Sequence, residues 1–305
     1  MKLEYNSNVS FSLATYNLLD LFDDDEGHVS GKVTALSPIV RRLNADVIAF
    51  QEVASDAAFA RLLAASGVVG GTVIHGTRDA RGIGSSLVSR LPVLEQAILV
   101  TDELPFPRFF SNDAPPFGRR LPLRRGFVSA LVDAGDFGRV RVLVAHLKSG
   151  RGVPLKDADG APVDASTLAE WGECDLRALV WRSAEALFLR RAVDAAFARG
   201  DAQHVAVLGD MNDVSGSFPL RLIRGRGEHG LSEVADTIAR DKRFSTLHRG
   251  DAEAIDHILV SNEMFARLDS ARFLNEGLLD LSTLPLDAPR PHGSDHAPLV
   301  AHFRS

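Results

Sequence analysis

Residues 204–213 read His-Val-Ala-Val-Leu-Gly-Asp-Met-Asn-Asp. The run Val205, Ala206, Val207, Leu208 before Gly209 predicts a buried strand that runs into a turn holding Asp210 and Asn212. Side chains alternate along an extended chain, so positions 210 and 212 are expected to point the same way at the strand's carboxyl end. A carboxylate can orient water or a metal, and an amide can donate to a phosphoryl oxygen. The pair therefore suits phosphoester chemistry better than acyl transfer. Gly, Asp and Asn are also ordinary turn formers, so the other polar strand ends must decide.

Those ends recur along the chain. Residues 9–18 cluster apolar side chains as a strand should and reach Asn17. The acidic, turn-rich stretch 19–31 predicts a loop, with Asp23, Asp24, Asp25 and Glu26 on a solvated face, and 33–43 predicts a helix with Pro38 in its first turn or at a kink. Residues 46–53 form a short apolar run that delivers Glu52, and Ser55 caps a helix that Gly67 ends. Strands are expected over 72–76, 82–89 and 93–100. Residues 104–126 hold five prolines and five arginines (Arg108, Arg119, Arg120, Arg124, Arg125), which predicts a long loop with a local basic patch. Strands over 127–133 and 139–145 follow, the second ending at His146. After a Gly- and Pro-rich excursion over 150–170, Leu176 begins a helical period that stops at Gly200; Arg177 and Arg182 on it could reach a phosphate or stay in water. Residues 231–239 suggest a short helix or turn, 254–260 a strand containing Asp256, and 292–303 a polar cluster with Asp295 and His296 entering a last strand.

Composition bounds the reading. With 305 residues and 45% hydrophobic side chains the chain can bury a sizeable core, and no repeat or linker divides residues 1–305 into two domains. A net charge of -6 means that any grip on a polyanion must be local. The single Cys174 excludes an internal disulfide and a cysteine zinc cluster. No stretch approaches the roughly 20 apolar residues of a membrane span, and the first residues do not read as a secretory signal. A cytoplasmic monomer is expected, although a secreted mature form would read the same.

Asn17, Glu52, His146, Asp210 with Asn212, Asp256, and Asp295 with His296 thus stand at the ends of six apolar segments, which argues for one convergent polar site. In these motifs (Tyr16-Asn17, Gln51-Glu52-Val53, His146-Leu-Lys-Ser, Gly209-Asp-Met-Asn, Ile255-Asp-His, Ser294-Asp-His) the chain resembles the endonuclease/exonuclease/phosphatase superfamily over nearly its whole length. The resemblance implies a mixed α/β chain in the DNase I-like four-layer α/β/β/α sandwich. It further implies Mg²⁺, or Mn²⁺, on the hard oxygens of Glu52, Asn17 and Asp295. His296 oriented by Asp256 would assist the attacking water, Asp210 would hold that water, Asn212 would donate to the phosphoryl oxygen, and His146 would act on the opposite side. Asn17, Arg124, Arg125 and Arg182 are expected to contact the phosphodiester substrate. His257, His292 and His302 are expected to be bystanders. Either histidine could be the acid. The expected activity is that of an endonuclease or exonuclease on DNA or RNA, with a small-molecule or lipid phosphoesterase as the alternative; a binding module without activity is disfavoured because every expected catalytic side chain is present.

Overall fold

The aliphatic runs of the sequence form two sheets of six strands each. The computed structural model describes residues 9–107, 110, 112–114, 120–285, 288–289 and 291–305. In chain order these form β1 (Val9–Leu21), α1 (Glu26–Leu43), β2 (Val47–Val53), α2 (Asp56–Ser66), β3 (Thr72–His75), β4 (Gly84–Ser89), β5 (Val93–Leu99), β6 (Phe127–Asp133), β7 (Arg139–His146), β8 (Leu155–Lys156), β9 (Pro162–Val163), α3 (Leu168–Arg199), β10 (His204–Asp210), α4 (Phe218–Arg224), β11 (Leu231–Glu233), β12 (Thr246–His248), β13 (Asp251–Glu253), β14 (Asp256–Ser261), α5 (Asn262–Ala266), β15 (Leu268–Phe273) and β16 (Leu299–Arg304). One sheet runs β15-β16-β1-β2-β4-β3 and the other β11-β14-β10-β7-β6-β5; β8 with β9 and β12 with β13 make small ribbons.

Alternation along the strands sorts side chains into layers. Phe11, Leu13, Val47 and Ala49 of the first sheet meet Val142, Val144, Ala206, Leu208 and Ile258 of the second in an inter-sheet core. The intervening residues Ala14, Tyr16, Ile48 and Phe50 face outward onto Leu36 and Val40 of α1 and Phe59 and Leu62 of α2. On the far side Leu143, Val205, Val207 and Leu259 pack against Leu189 and Val193 of α3 and Leu220 of α4. The result is the expected α/β/β/α sandwich. Each fully buried Leu, Val or Phe contributes about 1.5–3 kcal/mol of transfer free energy.

Two helices begin earlier than their apolar periods suggest. α1 starts inside the acidic stretch expected to be a loop, because the Asp25 side chain accepts the His28 N–H at 2.6 Å and caps it, while Glu26 pairs with Arg61 at 2.8 Å. Pro38 lies in its interior rather than in its first turn. Gly31, which weakens the helical signal, lies under His292: a Cβ there would come within 2.5 Å of the imidazole. α3 starts at Leu168 through a capping box of Thr167 and Glu170. The 254–260 strand begins only at Asp256, and residues 231–239 give β11 followed by a 3₁₀ turn at Val234–Thr237. Among the described residues no helix is long and apolar enough to cross a membrane.

Gly209 is the tightest point of the second sheet. Its φ is +142°, and a Cβ would lie 1.8 Å from the Ala145 carbonyl oxygen on β7. Neither the conformation nor the space admits a side chain. Gly209→Ala is therefore expected to destabilise the fold by about 3 kcal/mol or more in urea unfolding. A loss below about 1 kcal/mol would contradict this packing.

Candidate active site

Strand register decides which polar ends meet. In the order β14-β10-β7, Asp210 pairs with Asp256 on one side and with His146 on the other. Residues opposite one another on paired strands share a face. Here that face is the inward one, shared with Ile258, Leu208 and Val144. The three side chains form a buried row, none more than 3% exposed. From the other sheet Asn17, with the inward parity of Phe11 and Leu13, donates through Nδ2 to Asp210 Oδ2 at 2.9 Å. His146 Nε2 lies 3.4 Å from the same oxygen. His296 Nδ1 is 2.7 Å from Asp256 Oδ2. Ser294 Oγ donates to Asn17 O at 2.7 Å and accepts from His296 N at 3.0 Å, which ties the 294–296 segment to β1.

Two candidate residues arrive by turns rather than by strand parity. Glu52 would by alternation follow Ile48 and Phe50 to the helix side, but its φ is +61° and the β2–β4 register shifts between Phe50 and Val53. Its Oε2 accepts from Asp20 N at 2.9 Å. Asn212 is likewise left-handed, with φ +52°; its N–H donates to Asp210 Oδ1 at 2.8 Å and its Nδ2 to Leu147 O at 3.0 Å. The shared direction of 210 and 212 is thus a property of this turn, not of an extended chain. Leu19 and Asp20 are also left-handed, at φ 53° and 52°, where β1 and β2 lose register after Asn17. Buried Lys32 donates to Leu18 O at 2.7 Å and to Leu19 O, satisfying the bend. A left-handed non-glycine residue costs about 1–2 kcal/mol, so four of them around one site are bought by the surrounding contacts.

The charges are not independent. Burial, and then the charge of Asp256, push Asp210 up to about 7. Burial works against a charged His296, but Asp256, followed by Asp210 and Asp295, outweighs it and lifts the imidazole to about 10. His146 is driven well below its ordinary value by burial and then by Arg125 and His296, so it is neutral at pH 7. Asp210, Asp256 and His296 offer donor atoms within 4.8 Å of one another, a possible acidic and histidine metal site among the described residues. Glu52 and Asp295 lie outside that group.

The arginines divide sharply. Arg125 is 5% exposed and donates to Leu147 O at 2.8 Å, with Asp79 3.8 Å away. Arg182, 8% exposed, binds Asp213 Oδ2 at 2.8 Å and approaches the carbonyls of Lys148 and Ser149 at 3.3 Å. Both guanidinium groups brace the segment after His146 instead of standing open to solvent as freely accessible substrate contacts would. Cys174, Ala178, Arg182, Glu185, Leu189 and Val193 are among the buried positions of α3 and follow its helical period, so helical spacing already placed Arg182 on the buried face. Glu185, missed in the sequence, accepts from Lys148 N at 2.6 Å and is pushed up to about 7 by burial. Arg124 is partly exposed and lies over the Trp181 ring. Arg108 and Arg119 lie outside the described residues. Arg81, also missed, is exposed, pairs with Asp20 at 2.5 Å, and its charge reaches His146. Nothing in its Gly- and Asp-rich turn distinguishes it in the sequence.

His257 is packed on the outward face, as its parity requires, yet it is no bystander. One ring nitrogen lies 2.8 Å from Glu233 Oε1 and the other 2.8 Å from the Asp213 carbonyl, next to Asn212. Ser215 donates to the same Glu233 oxygen at 2.8 Å. His292 sits over Gly31, and half-exposed His302 lies on β16, away from this group.

The profile of the endonuclease/exonuclease/phosphatase family matches residues 8–296. The chain belongs to that family. It is accordingly a hydrolytic enzyme of the nuclease and phosphodiesterase class. No curated protein sequence matches it. Among solved structures it is similar to truncated Caenorhabditis elegans TDP2 (16% identity, 97% of each chain covered, TM-score 0.58). It is also similar to D. rerio TDP2 complexed with single strand DNA product (16%, 98% of this chain and 100% of that one, 0.59). A third likeness is to the 3'-5' exonuclease NExo from Neisseria meningitidis (18%, 96% and 100%, 0.56). At these identities the likeness is one of fold.

In this family member the His257–Glu233 pair gives stability a definite pH dependence. Burial disfavours a charged His257, but Glu233 outweighs it and holds the folded pKa above 6.5, so that contribution is complete below pH 6.5 and is lost as pH rises through the folded value. Glu233 is lowered below 4.5, against burial, by His257, so its contribution is present above pH 4.5 and is lost as pH falls through the folded value. His257→Gln should cost about 3 kcal/mol at pH 6, and the gap to wild type should narrow toward pH 9. A gap that stays constant over that range in urea titrations would mean a neutral His257.

Proposed function

We propose that the chain is a Mg²⁺- or Mn²⁺-dependent phosphodiesterase that cuts a nucleic-acid strand, DNA or RNA, as an endonuclease or exonuclease. The observation that carries this reading is the row Asp256, Asp210, His146, with His296 bonded to Asp256 and Asn17 reaching Asp210 from the opposite sheet. Glu52, Asp295 and Asn17 supply hard oxygen donors of the kind Mg²⁺ prefers, and Asp295 Oδ1 is buried without a hydrogen-bond partner. These residues fit the ion. The tighter group of Asp210, Asp256 and His296 suits it less, because Asp256 and His296 already share a proton at 2.7 Å. When bound, the ion supplies charge neutralisation at the phosphoryl group.

The chain's own residues account for the remaining steps. Asp210, raised to about 7, is poised to accept a proton from the attacking water near neutrality. His296, raised to about 10, keeps Nδ1–H on Asp256 and turns a charged Nε2–H toward a phosphoryl oxygen. Asn212 spends one amide hydrogen on Leu147 O and has a second for the same group. Neutral His146 holds its Nε2 near Asp210. Arg81 and Arg124 supply cations where a strand could pass, and the D. rerio TDP2 structure with single strand DNA product supports a strand as substrate.

The reading is tested by Mg²⁺-dependent cleavage of labelled single-stranded oligonucleotides. Glu52→Ala should lower kcat/KM by about 10³-fold or more and weaken Mg²⁺ binding in calorimetry, with the melting temperature retained. Unchanged Mg²⁺ affinity would remove Glu52 as ligand, and activity in excess chelator would remove the metal requirement. Asp256→Ala and His296→Ala should each cost about 10²–10⁴-fold, with the double variant no worse than the poorer single. Multiplying losses would show that the two act independently.

A further inference from the structure

The first turns of α3 face Leu121 and Pro122 across a cavity of about 820 Å³. Leu121, Pro122, Val153, Leu176, Val180 and Trp181 give it mostly apolar walls, and Asp102, Lys156, Glu173 and Arg177 also line it, Glu173 paired with Arg177 at 2.8 Å. Trp181 Nε1 donates to Pro122 O at 3.2 Å, which fixes the indole. Arg124 lies over that ring, 5.4 Å from its centroid. The charge of Arg124 acts on Lys148, Glu185 and His146, so a single indole borders both the cavity and the cationic edge of the candidate active site. Arg120 lines the cavity as well, and its Nη1 is buried with no hydrogen-bond partner among the described residues. Burying a donor in that state is unfavourable, so it points to an anionic or acceptor group on an occupant.

Apolar walls ask for a desolvated body, and two separate guanidinium groups ask for more than one anion. A lipid phosphodiester offers a single phosphate. A strand offers a base between two, and every unpaired base has a π-face that an indole can stack on. A base pair in a duplex is stacked on both sides and cannot enter a concave site. We propose that this cavity receives an unpaired nucleobase of the substrate strand, stacked on Trp181, with the neighbouring phosphates met by Arg120 and Arg124. This rests on the nucleic-acid reading above, and it makes the enzyme selective for single-stranded or frayed substrate.

The test is an abasic scan. A short labelled single strand, carrying one tetrahydrofuran residue at each position in turn, is titrated against the Asp210→Asn chain. Removing the base at one or two adjacent positions should raise Kd roughly 5- to 100-fold. In Trp181→Ala and in Leu176→Asp that ratio should fall to about 1, while Trp181→Phe, which keeps an aromatic face, should retain most of it. Leu176 is 57% exposed, so its replacement spares the core. A scan that is flat along the whole strand, or a ratio unchanged in both variants, overturns the cavity's assignment and leaves the nuclease reading standing. If wild type hydrolyses bis(para-nitrophenyl) phosphate but neither binds nor cuts any oligonucleotide, the nucleic-acid reading fails and the cavity's assignment falls with it.

Discussion

The hydrogen bond from Asn17 Nδ2 to Asp210 Oδ2, 2.9 Å long, links the central strands of the two sheets at the site. A bond to a charged acceptor contributes about 1.5–3 kcal/mol. Its larger consequence is geometric. β1 brings the segment of Ser294 to His296 with it, through the Ser294 bond to Asn17 O, and β10 brings its neighbours Asp256 and His146 by register. Two half-sites, one from each sheet, are thereby held face to face. The same burial that makes the bond strong raises Asp210 to about 7, so one packing arrangement supplies both position and basicity.

Around that bond the backbone departs from regular strand at every functional turn. Leu19, Asp20, Glu52 and Asn212 all have φ between 52° and 61°. Each is held by a named contact: Leu19 N to Asn17 Oδ1, Asp20 N to Glu52 Oε2, and Asn212 N to Asp210 Oδ1. The side chains that form the site therefore also hold the turns that carry them. Behind them, Arg125, Arg182 and Glu185 fix the segment after His146, and His257 with Glu233 fixes the segment after Asn212. Charged groups are placed where they brace backbone carbonyls and amides, at a desolvation cost that a solvent-facing role would not carry.

Much of this was legible in the sequence. Buried strands end abruptly in polar residues only for a reason; six such ends pointed to one candidate site, and the motifs they belong to carried the resemblance that implied the sandwich. What escaped the sequence escaped for physical causes. The start of α1 was hidden because its first turn is acidic and Gly27 and Gly31 weaken its first two turns, the latter glycine required by His292. Asn212 was placed beside Asp210 by the parity of an extended chain, whereas a left-handed turn carries it, and the left-handed Glu52 departs from the parity of its strand in the same way. Arg125 and Arg182 read as cations free to reach a phosphate because sequence records charge and not burial, although the spacing of Arg182 with Ala178, Glu185 and Leu189 did carry that information. His257 looked incidental because its partners, Glu233 and Asp213, are 24 and 44 residues away.

The most direct measurement is the position of the metal. Crystals grown with Mn²⁺ and measured at its absorption edge give a map of the ion itself. The expected peak lies against the carboxylates of Glu52 and Asp295 and the amide oxygen of Asn17, with the Asp256–His296 bond intact. A peak coordinated instead by Asp210, Asp256 and His296 would break that bond, remove Asp210 as the proton acceptor and His296 as the charged donor, and contradict the division of labour between the two halves of the site.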